Sequence, residues 1–161
     1  MTLKPDTLFL RTLIRPVHLS DALSLHKMCW PERPLHHIGK LLERTQKLAF
    51  SRRGLGVVAI RDSVVCGFGM LTLWPRAAEI SDLIVNPGYR DQGIGSMIIT
   101  QLTETARNLH AQMVEIGVAL SNPRALALYR RLGFTDHHTV EVDLGNGPEI
   151  VLYLTKSLEP R

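Results

Sequence analysis

Between Leu48 and Leu55 the apolar residues of the chain change period, and that change limits the folds open to it. Before it, Leu35, Ile38, Leu41-Leu42, Thr45 and Leu48 recur at the spacing of one helix face. After it, Leu55-Gly56-Val57-Val58-Ala59-Ile60 reads as a strand and Asp62-Ser63 as a turn. Val64 to Trp74 is a second, longer strand, which completes a hairpin. Pro75-Arg76 leads into a third strand, Ala78 to Val85, and Asn86-Pro87-Gly88 ends it, because proline has no N–H to continue a ladder.

The flanks follow the same logic. Phe9 to Val17 reads as a first strand, with Ser20-Asp21 capping a helix that carries Ala22, Leu25 and Met28-Cys29. From Gly93 a helix aligns Ile94, Met97-Ile98, Leu102, Ala106 and Leu109 on one stripe. Met113 to Leu120 is a strand. Asn122 as cap, Pro123 in the first turn and Gly133 beyond Leu132 bracket a short helix. Two closing strands, Thr139 to Leu144 and Glu149 to Thr155, flank Gly145-Asn146-Gly147-Pro148. The order βααβββαβαββ predicts an α/β sandwich with a mixed, mostly antiparallel sheet. At 161 residues without repeats or linkers, one domain is expected over 1–161.

Composition excludes several classes. No apolar run approaches the ~20 residues that cross a bilayer, so no membrane partner is expected. The first residues lack the apolar stretch of a secretory signal, which points to the cytoplasm. The net charge of +4 raises a nucleic-acid reading, but the basic residues are scattered or merely paired, as in Arg52-Arg53 and Arg130-Arg131. A mildly basic surface also suits a polyanionic ligand. Cys29 and Cys66 are isolated, and neither His36-His37 nor His137-His138 has metal-ligand spacing, so no metal is expected.

Arg90-Asp91-Gln92-Gly93-Ile94-Gly95-Ser96 joins a strand to a helix. A helix N-terminus offers unpaired N–H groups and the positive end of its dipole, and glycines let an anion come close. On the glycines alone, a plain strand-to-helix turn is an equal reading. The segment lacks the Lys-Ser/Thr of a P-loop, and the third glycine of a dinucleotide fingerprint would fall at Ile98.

With the preceding Leu83-Ile84-Val85-Asn86-Pro87, the segment resembles the GNAT superfamily of N-acetyltransferases, whose signature is Arg or Gln, two residues, Gly, one residue, then Gly or Ala. A second stretch from Asn122 through Tyr129 to Gly133-Phe134 carries the same resemblance, and so does the element order. The resemblance implies acetyl-CoA as co-substrate and no metal. Its diphosphate would lie on Arg90, Asp91, Gln92, Gly93, Ile94, Gly95 and Ser96. Its pantetheine arm would run past Leu83, Ile84, Val85 and Asn122, in a gap between their strand and that of Gly117 to Leu120. Backbone N–H groups near Ile84-Val85 would polarise the thioester carbonyl.

The resemblance also implies Tyr129 as general acid to the departing thiolate, with plain packing of the ring as the duller reading. For the base, the resemblance implies two candidates. Glu79, ranked first, sits six residues before Val85 like the catalytic glutamate of the histone-acetyltransferase branch; Asp82 sits three before it, where the sugar-phosphate branch also has an acidic residue. Strand alternation puts the two on opposite faces unless a bulge intervenes. Glu115 is a third candidate, and each carboxylate alone reads as readily as a solvated one. His36, His37 and Trp30 fall where the family builds one acceptor wall, and His137, His138 and Trp74 on the opposite rim; surface histidines and core tryptophans are an equal reading.

The expected activity is acetyl transfer to a primary amine by direct attack on the thioester, since neither cysteine falls in the two motifs. A catalytically silent acyl-CoA-binding regulatory domain is the alternative. A small-molecule or peptide amine is the expected partner, with a homodimer through the closing strands also open. The positive net charge weighs slightly against a polycationic acceptor.

Overall fold

The computed structural model describes residues 12–143 and 145–158. The expected order holds: β1 (Leu13–Pro16), α1 (Ala22–Met28), α2 (Leu35–Phe50), β2 (Gly54–Arg61), β3 (Val64–Leu73), β4 (Ala77–Val85), α3 (Ile94–Asn108), β5 (Met113–Ala119), α4 (Pro123–Arg131), β6 (Thr135–Asp143) and β7 (Pro148–Ser157). Residues 9–11 of the expected first strand, and Leu144, lie outside the described residues. One seven-stranded sheet runs β1-β2-β3-β4-β5-β7-β6. Every neighbouring pair is antiparallel except β4–β5, which the α3 crossover makes parallel.

Each face of the sheet carries its own core. On one, Ile94, Ile98, Ile99, Leu102 and Ala106 of α3, with Tyr129 of α4, pack on Ala78, Ile80, Val114, Ile116 and Leu154. On the other, Leu25 of α1 and Ile38 and Leu42 of α2 pack on Val58, Phe68 and Met70. Cys29 and Cys66 are free and buried. Burial pushes the Cys29 thiol up to about 12, so it stays protonated and unreactive at neutral pH.

Two local expectations change. Asp21 holds the N-cap position of α1, but neither it nor Ser20 caps the helix with its side chain, and a 3₁₀ turn, Leu19–Asp21, leads into it. The Asp21 carboxylate instead accepts two hydrogen bonds from Arg15, at 2.8 and 2.9 Å, and one from the His18 N–H at 2.8 Å. β6 starts at Thr135 rather than Thr139. It is an outer strand paired only with β7 and mostly solvent-exposed, so Thr135-Asp136-His137-His138 carries no apolar alternation to reveal it. Among the described residues no helix is long and apolar enough to cross a membrane.

Candidate active site

β4 and β5 part in mid-sheet. Their parallel pairing runs from Ala77–Met113 to Ile80–Ile116 and stops. Beyond it β4 stays fastened to β3, through Phe68–Ile84 and Gly67–Val85, while β5 stays with β7 as far as Ala119–Val151. A bulge lies where the gap opens. Gly69 of β3 faces both Asp82 and Leu83, and Asp82 adopts φ +54°. The bulge reverses side-chain alternation. Ala78 and Ile80 face the α3 core before it, Leu83 and Val85 after it, and Ile84 turns to the α1–α2 core. The expected gap therefore exists, with Leu83, Ile84 and Val85 along one edge.

The N-terminus of α3 stands at the end of that edge. Gly93 is its N-cap at φ +79° and supplies no side-chain acceptor. The first helical bond runs from the Met97 N–H to the Gly93 carbonyl at 3.0 Å, which leaves the N–H groups of Ile94, Gly95 and Ser96 without helical partners. A Cβ built on Gly93 meets nothing within 4 Å, so the helix start is open. One built on Gly95 would sit 3.4 Å from Leu128 of α4, an ordinary contact, so the packing of α3 on α4 does not itself require glycine there. The Ile94 side chain is buried in the core and Arg90 is exposed. Two further arginines reach the loop: Arg61 bonds the Gln92 side chain, and Arg124 pairs with Asp91 at 2.5 Å.

Across the gap, the Asn122 Oδ1 caps α4 by accepting from the Ala125 N–H at 3.2 Å. One turn on, Tyr129 is 6% exposed, its ring 6.5 Å from that of Phe134. Burial pushes its hydroxyl up to about 12, which keeps the proton on through neutral pH.

On the α1–α2 face, at the last rungs before the strands part, the registers align a polar row. Thr72 stands opposite Glu79, Glu79 opposite Glu115, Glu115 opposite Thr155, and Thr155 opposite Thr135. Burial and the Glu115 charge hold the Glu79 carboxyl above its usual range; Asp82 adds to this and Arg44 of α2 opposes it. Tyr153, opposite Gly117, lies over it so closely that a Cβ there would come 3.0 Å from the ring. His138 stacks on Tyr153 at 5.0 Å and 9°. Trp30 is 3% exposed and packs on Phe68, so it belongs to the core. His36, His37, His137 and Trp74 are exposed. A separate small cavity, lined by Val17, Thr45, Leu55 and neighbours, touches none of these groups. Among the described residues no three His, Cys, Asp or Glu side chains gather as metal ligands.

Comparison with known proteins agrees with this geometry. The pattern of the Acetyltransferase (GNAT) family matches residues 19–134. The chain belongs to the GNAT family. This GNAT chain is 36% identical to a bovine (Bos taurus) thialysine N-epsilon-acetyltransferase over 77 residues, 45% of each protein. It is 28% identical to an aminoglycoside N(6′)-acetyltransferase type 1 of Acinetobacter genomosp. 13, over 77% of the chain and 88% of that protein. The chain spans under half the length of the relatives it matches at 36% identity. Its fold is that of yncA from Salmonella typhimurium, solved with its cofactor acetyl-CoA: TM-score 0.74, 19% identity, 93% of this chain and 95% of that one.

Sequence reading of this GNAT chain missed Arg61, Arg124, Thr72 and Tyr153. Arg124 lies inside the stretch that begins at Asn122, so its neighbourhood to the cradle was a readable signal. Arg61 and Thr72 sit on hairpin strands and Tyr153 on a closing strand, where nothing local marks them.

Proposed function

We propose that this chain transfers the acetyl group of acetyl-CoA to a primary amine. The observation that carries the reading is the parting of β4 and β5 beside an uncapped helix start. An extended arm needs an unpaired strand edge to bond, and an anion needs free N–H groups; here the two adjoin. The fit holds at the atomic level, because the Ile94, Gly95 and Ser96 donors and the space above Gly93 are free to receive a diphosphate. Arg90, Arg61 and Arg124 add positive charge there, and Gln92 and Asp91 orient the last two.

The Asn86 N–H bonds the Cys66 carbonyl on the β3 side. By alternation the backbone groups of Leu83 and Val85 turn the other way, into the gap. Their N–H groups hold the arm and donate to the acyl oxygen as it gains charge. The Asn122 amide nitrogen, left over by its capping oxygen, is a further donor to the arm.

Acetyl-CoA, when bound, supplies the activated acyl group. Glu79 takes a proton from the incoming ammonium, directly or through water, and its raised pKa makes it a stronger base for that task than an ordinary carboxylate. Asp82 shapes the bulge and adds negative potential at Glu79. As the N–C bond forms and the C–S bond breaks, Tyr129 would deliver its proton to the sulfur, and the proton that the nitrogen sheds on becoming an amide would return to Tyr129 through water. Both cysteines are buried, which favours direct attack over a covalent acyl carrier. His138 and Tyr153 form the far wall of the acceptor space.

Calorimetry with acetyl-CoA and free CoA, followed by a thiol-release assay over an amine panel, tests the reading. Binding with turnover is expected. Binding without turnover on any amine supports the silent binding domain instead, and no binding heat removes both.

A further inference from the structure

We propose that the acceptor carries two positive charges, a primary amine and a second ammonium group, and that Glu115 holds the second. The inference rests on the transferase reading and names the chemical class of its acceptor.

Glu79 and Glu115 are register partners on adjacent parallel strands, so their backbones are about 4.8 Å apart and their side chains rise from one face. Both are half-buried, and among the described residues neither carboxylate has a hydrogen bond or ion pair. Arg44 acts on Glu79 only through its field. Two like charges held side by side, with no cation bonded to either, oppose one another and the folded state. A cation in the acceptor space relieves that cost. When Glu79 accepts the proton of the reacting ammonium, the Glu115 side chain still faces the same space. A monoamine then leaves it unpaired, whereas a dication keeps it matched throughout.

A second observation concerns a different group. Thr72, opposite Glu79 on the same face, is 3% exposed, and its hydroxyl has no hydrogen-bond partner. A buried hydroxyl without a partner is uncommon, and here it adjoins the row that would hold a donor-rich ligand. The Tyr153 ring over Gly117, backed by His138, adds a flat aromatic wall one rung from Glu115. Such a wall suits a methylene chain and the cation at its end. The net charge of +4 does not oppose this, because it is spread over the whole chain while the acceptor face carries the carboxylates.

The test measures thiol release at saturating acetyl-CoA with butane-1,4-diamine and with n-butylamine, which share a carbon count and differ in one ammonium group. The wild-type kcat/KM should favour the diamine by roughly tenfold or more, as desolvated charge pairs do. In Glu115→Gln that ratio should fall at least about fivefold, and Glu115→Asp should retain most of it. Because both amines meet the same enzyme, a general loss of activity or of folded protein cancels in the ratio. A wild-type ratio near one, turnover of neither amine, or a ratio that Glu115→Gln leaves alone would overturn the inference. Acetyl-CoA binding heat separates the two readings: absent, the transferase reading fails; present without a diamine preference, only this inference fails.

Discussion

Arg124, at the start of α4, bonds the Asp91 carboxylate in the loop before α3 at a distance of 2.5 Å. A negative side chain in the proposed diphosphate cradle thus carries its own counter-charge, supplied by the helix across the cleft. Both partners are largely exposed, so the pair itself adds little stability. Its consequence is for ligand charge. Asp91→Asn removes a repulsion and frees Arg124, and should tighten CoA binding by about 1 kcal/mol, roughly fivefold. Arg124→Gln should weaken it by at least as much. The double variant should be non-additive. Calorimetry at two salt concentrations checks all three, the differences shrinking as salt rises.

The two cradle glycines should respond differently. Gly93→Ala places a Cβ on a residue at φ +79°, which costs about 1–2 kcal/mol. In a chain of this size that lowers Tm by roughly 2–4 °C per kcal/mol. Gly95→Ala adds a Cβ at ordinary contact distance, 3.4 Å from Leu128, and should leave Tm nearly unchanged. Thermal melts of the two variants side by side decide it.

Glu79 should show its environment in two pH profiles. Its pKa is raised, so kcat/KM should rise with pH through that raised value, and Glu79→Gln should abolish this acid limb. Glu115→Gln removes a like charge and should move the limb to lower pH. For stability the sign runs the other way. Between the ordinary and the raised carboxyl pKa the folded state binds more protons, so stability falls as pH rises through that window. Glu79→Gln should therefore melt higher than wild type at neutral pH, and the gap should close under acid conditions.

Tyr129→Phe should lower kcat by about 10²-fold, the usual worth of a positioned acid. Acetyl-CoA affinity should change little, because the ring and its packing remain. The hydroxyl sits at about 12, so the wild-type rate should have no alkaline limb from this group below that pH. A variant with undiminished kcat would remove Tyr129 from the chemistry.

Much of the site was legible because its signals are local. Gly93 opens α3 where a left-handed φ requires glycine, and Asn122-Pro123 opens α4 because an amide oxygen and a ring without N–H suit a first turn. Tyr129 was singled out only by the resemblance, since helical spacing alone marks it as a packed aromatic. Trp30 shows the opposite case. Its place between two predicted helices left a pocket wall and the core equally open; the ring points into the α1–α2 core against Phe68, and only packing could decide that. The start of β6 was hidden for a related reason: an outer strand takes its hydrogen bonds from β7 and needs no apolar side chains of its own.

Alone, then, the sequence determined the element types, their order and the two helix starts that frame the cleft, since these depend on caps, turns and hydrophobic period within a few neighbouring residues. Tertiary structure decided where β4 leaves β5, that the bulge at Asp82 reverses which residues face α3, and that Glu79 meets Glu115 and Asp91 meets Arg124. Those relations join segments tens of residues apart. They exist only once strand register and helix packing have brought the segments within reach of each other's charges.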